Sequence, residues 1–152
     1  MKLTTFTDYG LRVLMHLATI GGRCTIAEIA RAHRVSEHHL VKIVHFLGKR
    51  GWLANVRGKG GGLQLARPPE AINIGDVVRA SESATLLAEC FRGDASSCAL
   101  APCCRARAVL AEAVAAFYAS LDRYTLADLV TNRRELATVL FMPRPALAGS
   151  AA

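Results

Sequence analysis

Residues 7–18 place Leu11, Leu14, Met15 and Ala18 at helical spacing, which predicts a first helix with that stripe buried. Thr25 opens a second pattern. Glu28 follows it by three residues, and Ile26, Ile29 and Ala30 share one face. That is a capping box leading into a short amphipathic helix. After His33, Arg34 and Val35 comes Ser36, a favourable N-cap residue. Leu40, Ile43, Val44 and Leu47 then recur at core spacing and leave Glu37, His38, His39, Lys42 and His45 outside. Two short helices separated by so tight a turn predict a helix-turn-helix, whose second helix would present its N-terminal residues to a major groove.

Gly51 stops that helix. Residues 52–57 read as a strand, Gly58-Lys59-Gly60-Gly61-Gly62 as a turn and residues 63–67 as the returning strand. A hairpin directly after a recognition helix is a wing, with Arg57 and Lys59 placed to meet phosphate or the minor groove. The glycine-rich turn is a poor P-loop, because it lacks the GxxxxGK[ST] spacing and leads into a strand. Trp52 is expected in the core at the base of the wing. Pro68 and Pro69 close the unit, and residues 74–80 predict a short helix. A long helix is predicted over 105–123, with Leu110, Val114, Phe117, Leu121 and Tyr124 on one stripe. Such a stripe packs either on its own domain or on a second copy, and a symmetric dimer is the simplest solution. The expected class is therefore mainly α with a small β-wing: a winged helix-turn-helix over 1–80, a loop over 81–104, a long dimerisation helix with C-terminal helices over 105–141, and a loose tail over 142–152.

Composition sharpens this picture. The 152 residues are 52% hydrophobic. No apolar run approaches the ~20 residues that span a bilayer, and the N-terminal stretch lacks the features of a signal peptide. A cytoplasmic protein with reduced thiols is expected, without a membrane partner. The net charge is +7, and residues 31–67 hold eight Lys and Arg against one acid, Glu37. Charge concentrated in one window points to a polyanion, and on a helix-turn-helix that polyanion is double-stranded DNA. His38 and His39 are poor joint metal ligands, because adjacent helical residues point about 100° apart. No nucleophile–base constellation suggests an enzyme.

Four of the five cysteines, Cys90, Cys98, Cys103 and Cys104, fall in CFRGDASSCALAPCC. The loop has no C-x₂₋₄-C pair at a geometry useful for structural zinc: the one such spacing, Cys98 to Cys103, ends in the vicinal pair Cys103-Cys104. Three well-spaced thiolates suit a larger cofactor, such as an iron–sulfur cluster. Redox-active or incidental thiols remain the alternative. Cys24, alone before the second helix, reads as packing.

The segments LTTFTDYGLRVLMHLA, VSEHHLVKIV, VRGKGGGLQLARPPEAINIGDVVR, the ECF…C-x₅-C loop and DRYTLADLV occur in one order. Over residues up to about 140 the chain resembles the winged-helix iron–sulfur repressors, in their NsrR-type, nitric-oxide-sensitive branch. The IscR-type branch carries a histidine three residues after the last loop cysteine, where this chain has Arg107. The resemblance implies a homodimer on a palindromic operator, with nitric oxide as effector. It implies one cluster per subunit, of the [4Fe-4S] type with [2Fe-2S] as the alternative, held by Cys90, Cys98 and Cys104. Asp8 from the partner subunit would be the fourth ligand. Cys103 stands at a position that is usually not a ligand. Asp8 also suits a first-turn acid paired with Arg12 four residues on, so Asp8 and Arg12 together are the expected switch. The rivals are a regulator sensing cluster status or redox stress and, in another class, an iron–sulfur carrier, for which the basic window and the wing have no use.

Overall fold

The computed structural model describes residues 3–58, 60–82, 98–100 and 103–141. Cys90, Lys59 and the expected loose tail over 142–152 lie outside the described residues. Helix α1 (Thr5–Ile20) comes first, then α2 (Ile26–His33) and α3 (Glu37–Lys49), then strands β1 (Leu53–Val56) and β2 (Gly62–Leu65). A 3-10 turn over Pro69–Ala71 leads into α4 (Ile74–Ser81), and α5 (Arg105–Leu121), α6 (Leu126–Leu129) and α7 (Arg133–Phe141) complete the described chain.

Helix α1 is the hub. Thr4 caps it, accepting from the Thr7 amide, and Gly21 ends it in the left-handed region. The predicted stripe is too narrow for it: Val13, Leu14, Leu17 and Ala18 are buried together with Thr7, Gly10, His16 and Thr19, whereas Leu11 and Met15 are only partly buried. The reason is that α3, α4, α6, α7 and β2 all pack on α1, so no broad polar face is left. Leu14, Leu17, Ile29, Leu40, Leu47, Ile72 and Leu126 are among the largest fully buried side chains. Leu126, in α6, joins the core formed by the helix-turn-helix.

The strands pair antiparallel, with Leu53 opposite Leu65 and Val56 opposite Gly62. Leu63 also exchanges both backbone hydrogen bonds with Cys24, at 3.0 and 2.8 Å, so the segment before α2 pairs along the returning strand. That close approach explains Gly62: a Cβ there would sit 3.0 Å from the Cys24 carbonyl oxygen. Trp52 is buried against the edge of Phe46, at the base of the wing.

No residue of α5 is fully buried. Phe117, Tyr118 and Leu121, near its C-terminal end, pack on the core. Arg79 of α4 reaches both carboxylate oxygens of Asp122 at 2.8 and 2.9 Å and lies over the Tyr118 ring. Leu110 and Val114 stay half-buried without joining the core, and Val109 is 64% exposed. The helix stops at Leu121, before Tyr124, whose carbonyl instead accepts from the Ile74 amide.

Candidate nucleic-acid interface and cysteine loop

The capping box of α2 forms as its sequence requires. The Thr25 hydroxyl accepts from the Glu28 amide at 3.2 Å, and the Glu28 carboxylate accepts from the Thr25 amide at 2.7 Å. The Thr25 amide, and then its hydroxyl at 2.8 Å, donate to the Glu28 carboxylate and hold it below its ordinary range. Arg34 ends α2 in the left-handed region at φ 54°, its amide donating to the Ala30 and Arg31 carbonyls. A non-glycine residue there costs about 1 kcal/mol, yet it allows the sharp turn into α3. Ser36 occupies the N-cap position of α3, but its hydroxyl makes no capping hydrogen bond.

Leu40, Ile43, Val44 and Leu47 seat α3 in the core. Ser36, Glu37, His38, His39, Lys42 and His45 are exposed, as is Arg57 at the wing turn. The Gly61 amide closes that turn on the Gly58 carbonyl at 2.9 Å. One outer face therefore carries the side chains that the sequence pattern placed outside. Two residues on this module escaped the pattern. Val41 is 51% exposed on α3, and Arg23 donates through Nε to Gln64 of β2 at 3.2 Å. Both are visible only once packing decides which face is left over.

Asp8 lies in the first turn of α1 and pairs with Arg12, at 2.9 Å from Nη2 and 3.1 Å from Nε. Both side chains are half-exposed. The start of α1 is tied to the end of α4, where the cysteine loop begins. The Thr4 amide and hydroxyl both donate to Oε1 of Glu82, at 2.7 and 2.9 Å, and the Thr7 hydroxyl donates to Ser81 at 2.9 Å. Glu82 is buried. It had no distinguishing mark in the sequence.

Cys98, Cys103 and Cys104 are free thiols, the first and last partly exposed and Cys103 exposed. Cys104 stands at the N-cap of α5 without spending its sulfur on a cap. These donors are of the right chemistry for iron. Among the described residues no group of three His, Cys, Asp or Glu side chains is arranged to hold a metal ion, and the third expected thiol, Cys90, is outside them. Arg107 is exposed on the first turn of α5.

Cys24 belongs to a different cluster. Its thiol donates to Glu28 at 3.4 Å and lies 3.5 Å from Nε2 of His16. Burial and then the Glu28 carboxylate push it up to about 12. Burial, and then the neighbouring His33, lower His16 to about 4. His33 is lowered too, by burial and the Arg12 charge. With its pKa raised, this thiol is a packing group and not a nucleophile.

A helix-turn-helix with a basic outer face and a wing defines a DNA-binding transcriptional regulator rather than an enzyme. Among the described residues, no helix is long and apolar enough to cross a membrane. Residues 3–132 match the family described as Rrf2, iron-dependent transcriptional regulator, and the chain belongs to that family. It is 44% identical over 144 residues to the HTH-type transcriptional regulator NsrR of Bacillus subtilis, covering 93% of this chain and 99% of that protein. It is 46% identical over 142 residues to NsrR of Geobacillus kaustophilus, covering 92% and 97%. Among solved structures, IscR of T. potens superposes with a TM-score of 0.71 at 26% identity, over 95% of this chain and 94% of that one. The global cysteine regulator CymR of B. subtilis superposes with a TM-score of 0.68 at 28% identity, over 87% and 98%.

Proposed function

We propose that this protein is a homodimeric repressor that holds an iron–sulfur cluster in each subunit and releases a palindromic operator when nitric oxide reaches that cluster. The observation that carries this reading is the tie between Thr4 and Glu82. It joins the stem of the cysteine loop to the start of the helix that bears Asp8, and α1 in turn packs on α3. The assigned ligands are Cys90, Cys98 and Cys104 with Asp8 of the partner subunit, and the [4Fe-4S] type is favoured by the resemblance. When bound, the group would supply iron that reacts with nitric oxide, with Asp8 as its single carboxylate ligand.

The chain's own residues do the rest. With a cluster bound, Asp8 would ligate its iron in the partner subunit, and its carboxylate would be withdrawn from Arg12. Once released, it returns to the 2.9 Å ion pair seen here, and α1 shifts against α3. Leu110, Val114 and Val109, which the core leaves uncovered, supply the face on which the second copy packs. Two α3 helices are then spaced about one DNA turn apart. Ser36, Glu37, His38, His39 and Lys42 face the major groove, with Arg57 and Lys59 on phosphate or in the minor groove. A coupling of about 1–3 kcal/mol changes operator affinity by about 5–150-fold.

The test is anaerobic purification with iron and sulfide counts, followed by nitric oxide titration against labelled operator. Loss of the cluster's visible absorption in step with DNA release is expected. Cys98→Ala or Cys104→Ala protein that still binds operator tightly and still responds to nitric oxide would remove the cluster from the mechanism.

A further inference from the structure

Val41 is an aliphatic side chain left in water on the helix that the reading above seats in the major groove. It is 51% exposed, and its helical neighbours Glu37, His38, Lys42 and His45 are all exposed with it. Large exposed apolar side chains elsewhere among the described residues, such as Val109, Val139 and Phe141, lie on α5 and α7. Val41 lies on α3, at the edge of the stripe of Leu40, Ile43, Val44 and Leu47 and half exposed.

An exposed helical site gains nothing from valine. Its branched Cβ costs helix propensity relative to the alanine this chain uses freely, and its methyls stay hydrated. The cost is recovered when a partner covers the methyls. Valine has no donor, acceptor or charge, so it cannot read the polar edge of a base. It also holds its methyls close to the helix surface in one rotamer. In the major groove the matching group is the C5-methyl of thymine. Lys42, next to Val41 and much longer, reaches past it towards phosphate or a guanine edge.

We propose that Val41 is a specificity-determining residue, which selects a thymine in each operator half-site by packing against its C5-methyl. This rests on the reading that α3 enters the major groove.

The experiment uses the full-length dimer, purified anaerobically, and a duplex selected by the wild-type protein from a randomised library. Each thymine is replaced in turn by uracil, which removes only the methyl. Wild-type protein is expected to lose about fourfold in affinity at one position per half-site, the value of one buried methyl. Val41→Ala protein is expected to bind the parent duplex more weakly and to lose nothing further at that uracil. At that position a methylcytosine·guanine pair should bind the wild-type protein better than cytosine·guanine, because the methyl is restored while the pair is changed. Val41→Ala should fold about as stably as wild type, since the side chain is half exposed and alanine has the higher helix propensity. If no thymine shows a methyl dependence that Val41→Ala abolishes, the assignment is wrong. If His38→Ala and Lys42→Ala also leave affinity and base preference untouched, the groove reading itself fails and takes this proposal with it.

Discussion

Nδ1 of His16 and Nε2 of His33 lie 3.2 Å apart and share one hydrogen bond. The Cys24 thiol donates to Glu28, so His16 Nε2–H is directed at the sulfur and Nδ1 is the acceptor. A proton added at His16 Nδ1 would set two donors against each other, and burial opposes the charged form of either ring. Arg12 adds positive charge on the His33 side, which Asp8 offsets only in part, and at His16 Glu28 offsets only in part the effects of burial and of His33. Both folded values are lowered, so the unfolded chain binds protons that the folded chain refuses. Stability is fully present above pH 6.5 and falls as pH drops from there towards about 4, with a slope of up to about 1.4 kcal/mol per pH unit for each proton. Urea denaturation at intervals between pH 7 and 4.5 checks this. His16→Phe, which keeps an aromatic against Phe141, should flatten the profile. A wild-type curve that is level across this range would show that the pair is not excluding protons.

The same cluster separates Cys24 from the loop thiols. Cys24 is 5% exposed and pushed up to about 12, whereas Cys98, Cys103 and Cys104 are at least partly accessible. In cluster-free protein at pH 8, alkylation should mark the loop thiols first and Cys24 only on unfolding. Peptide mass spectrometry over a time course reads this order. Rapid labelling of Cys24 in folded protein would contradict the buried arrangement.

Glu82 supports the start of α1 from a distance of 78 residues. Its carboxylate serves the Thr4 amide and hydroxyl together, in a buried setting. Glu82→Ala should cost about 1–3 kcal/mol, because two donors are left unsatisfied. Glu82→Gln keeps an acceptor and should cost less. Thermal unfolding of cluster-free protein measures both. If the repressor reading holds, Glu82→Ala should also weaken the response of DNA binding to nitric oxide, since Asp8 sits on the turn this residue anchors. Equal melting temperatures for wild type and Glu82→Ala would remove Glu82 as an anchor.

The parts legible in the sequence are those whose contacts are local. The capping box of Thr25 and Glu28 spans three residues, the core face of α3 repeats within one helix, and the wing turn announces itself in Gly58–Gly62. Hidden parts are the long-range pairings: Thr4 with Glu82, Arg79 with Asp122, His16 with His33, and Cys24 with Leu63. Each joins residues far apart in the chain, and only the completed fold brings them within reach. Val41 was hidden for the opposite reason. A hydrophobic residue beside a core stripe looks like part of that stripe until packing leaves it outside.

The basic face of α3 and the wing makes a quantitative demand on salt dependence. Every phosphate neutralised by a lysine or arginine releases counterions and contributes about −0.9 to the slope of log K against log salt. Arg57 is exposed at the wing turn and forms no salt bridge among the described residues, so its charge is available. In a symmetric dimer two copies act together, and Arg57→Ala should make the slope shallower by about 1.8. The loss of affinity should be similar for operator and unrelated duplex, because a phosphate contact carries no sequence information. His38→Ala should do the reverse, leaving the slope near its wild-type value while narrowing the difference between operator and unrelated DNA. Fluorescence anisotropy from 50 to 300 mM salt separates the two behaviours. An unchanged slope for Arg57→Ala would place the wing clear of the backbone, and α3 alone would then have to supply the electrostatic part of binding.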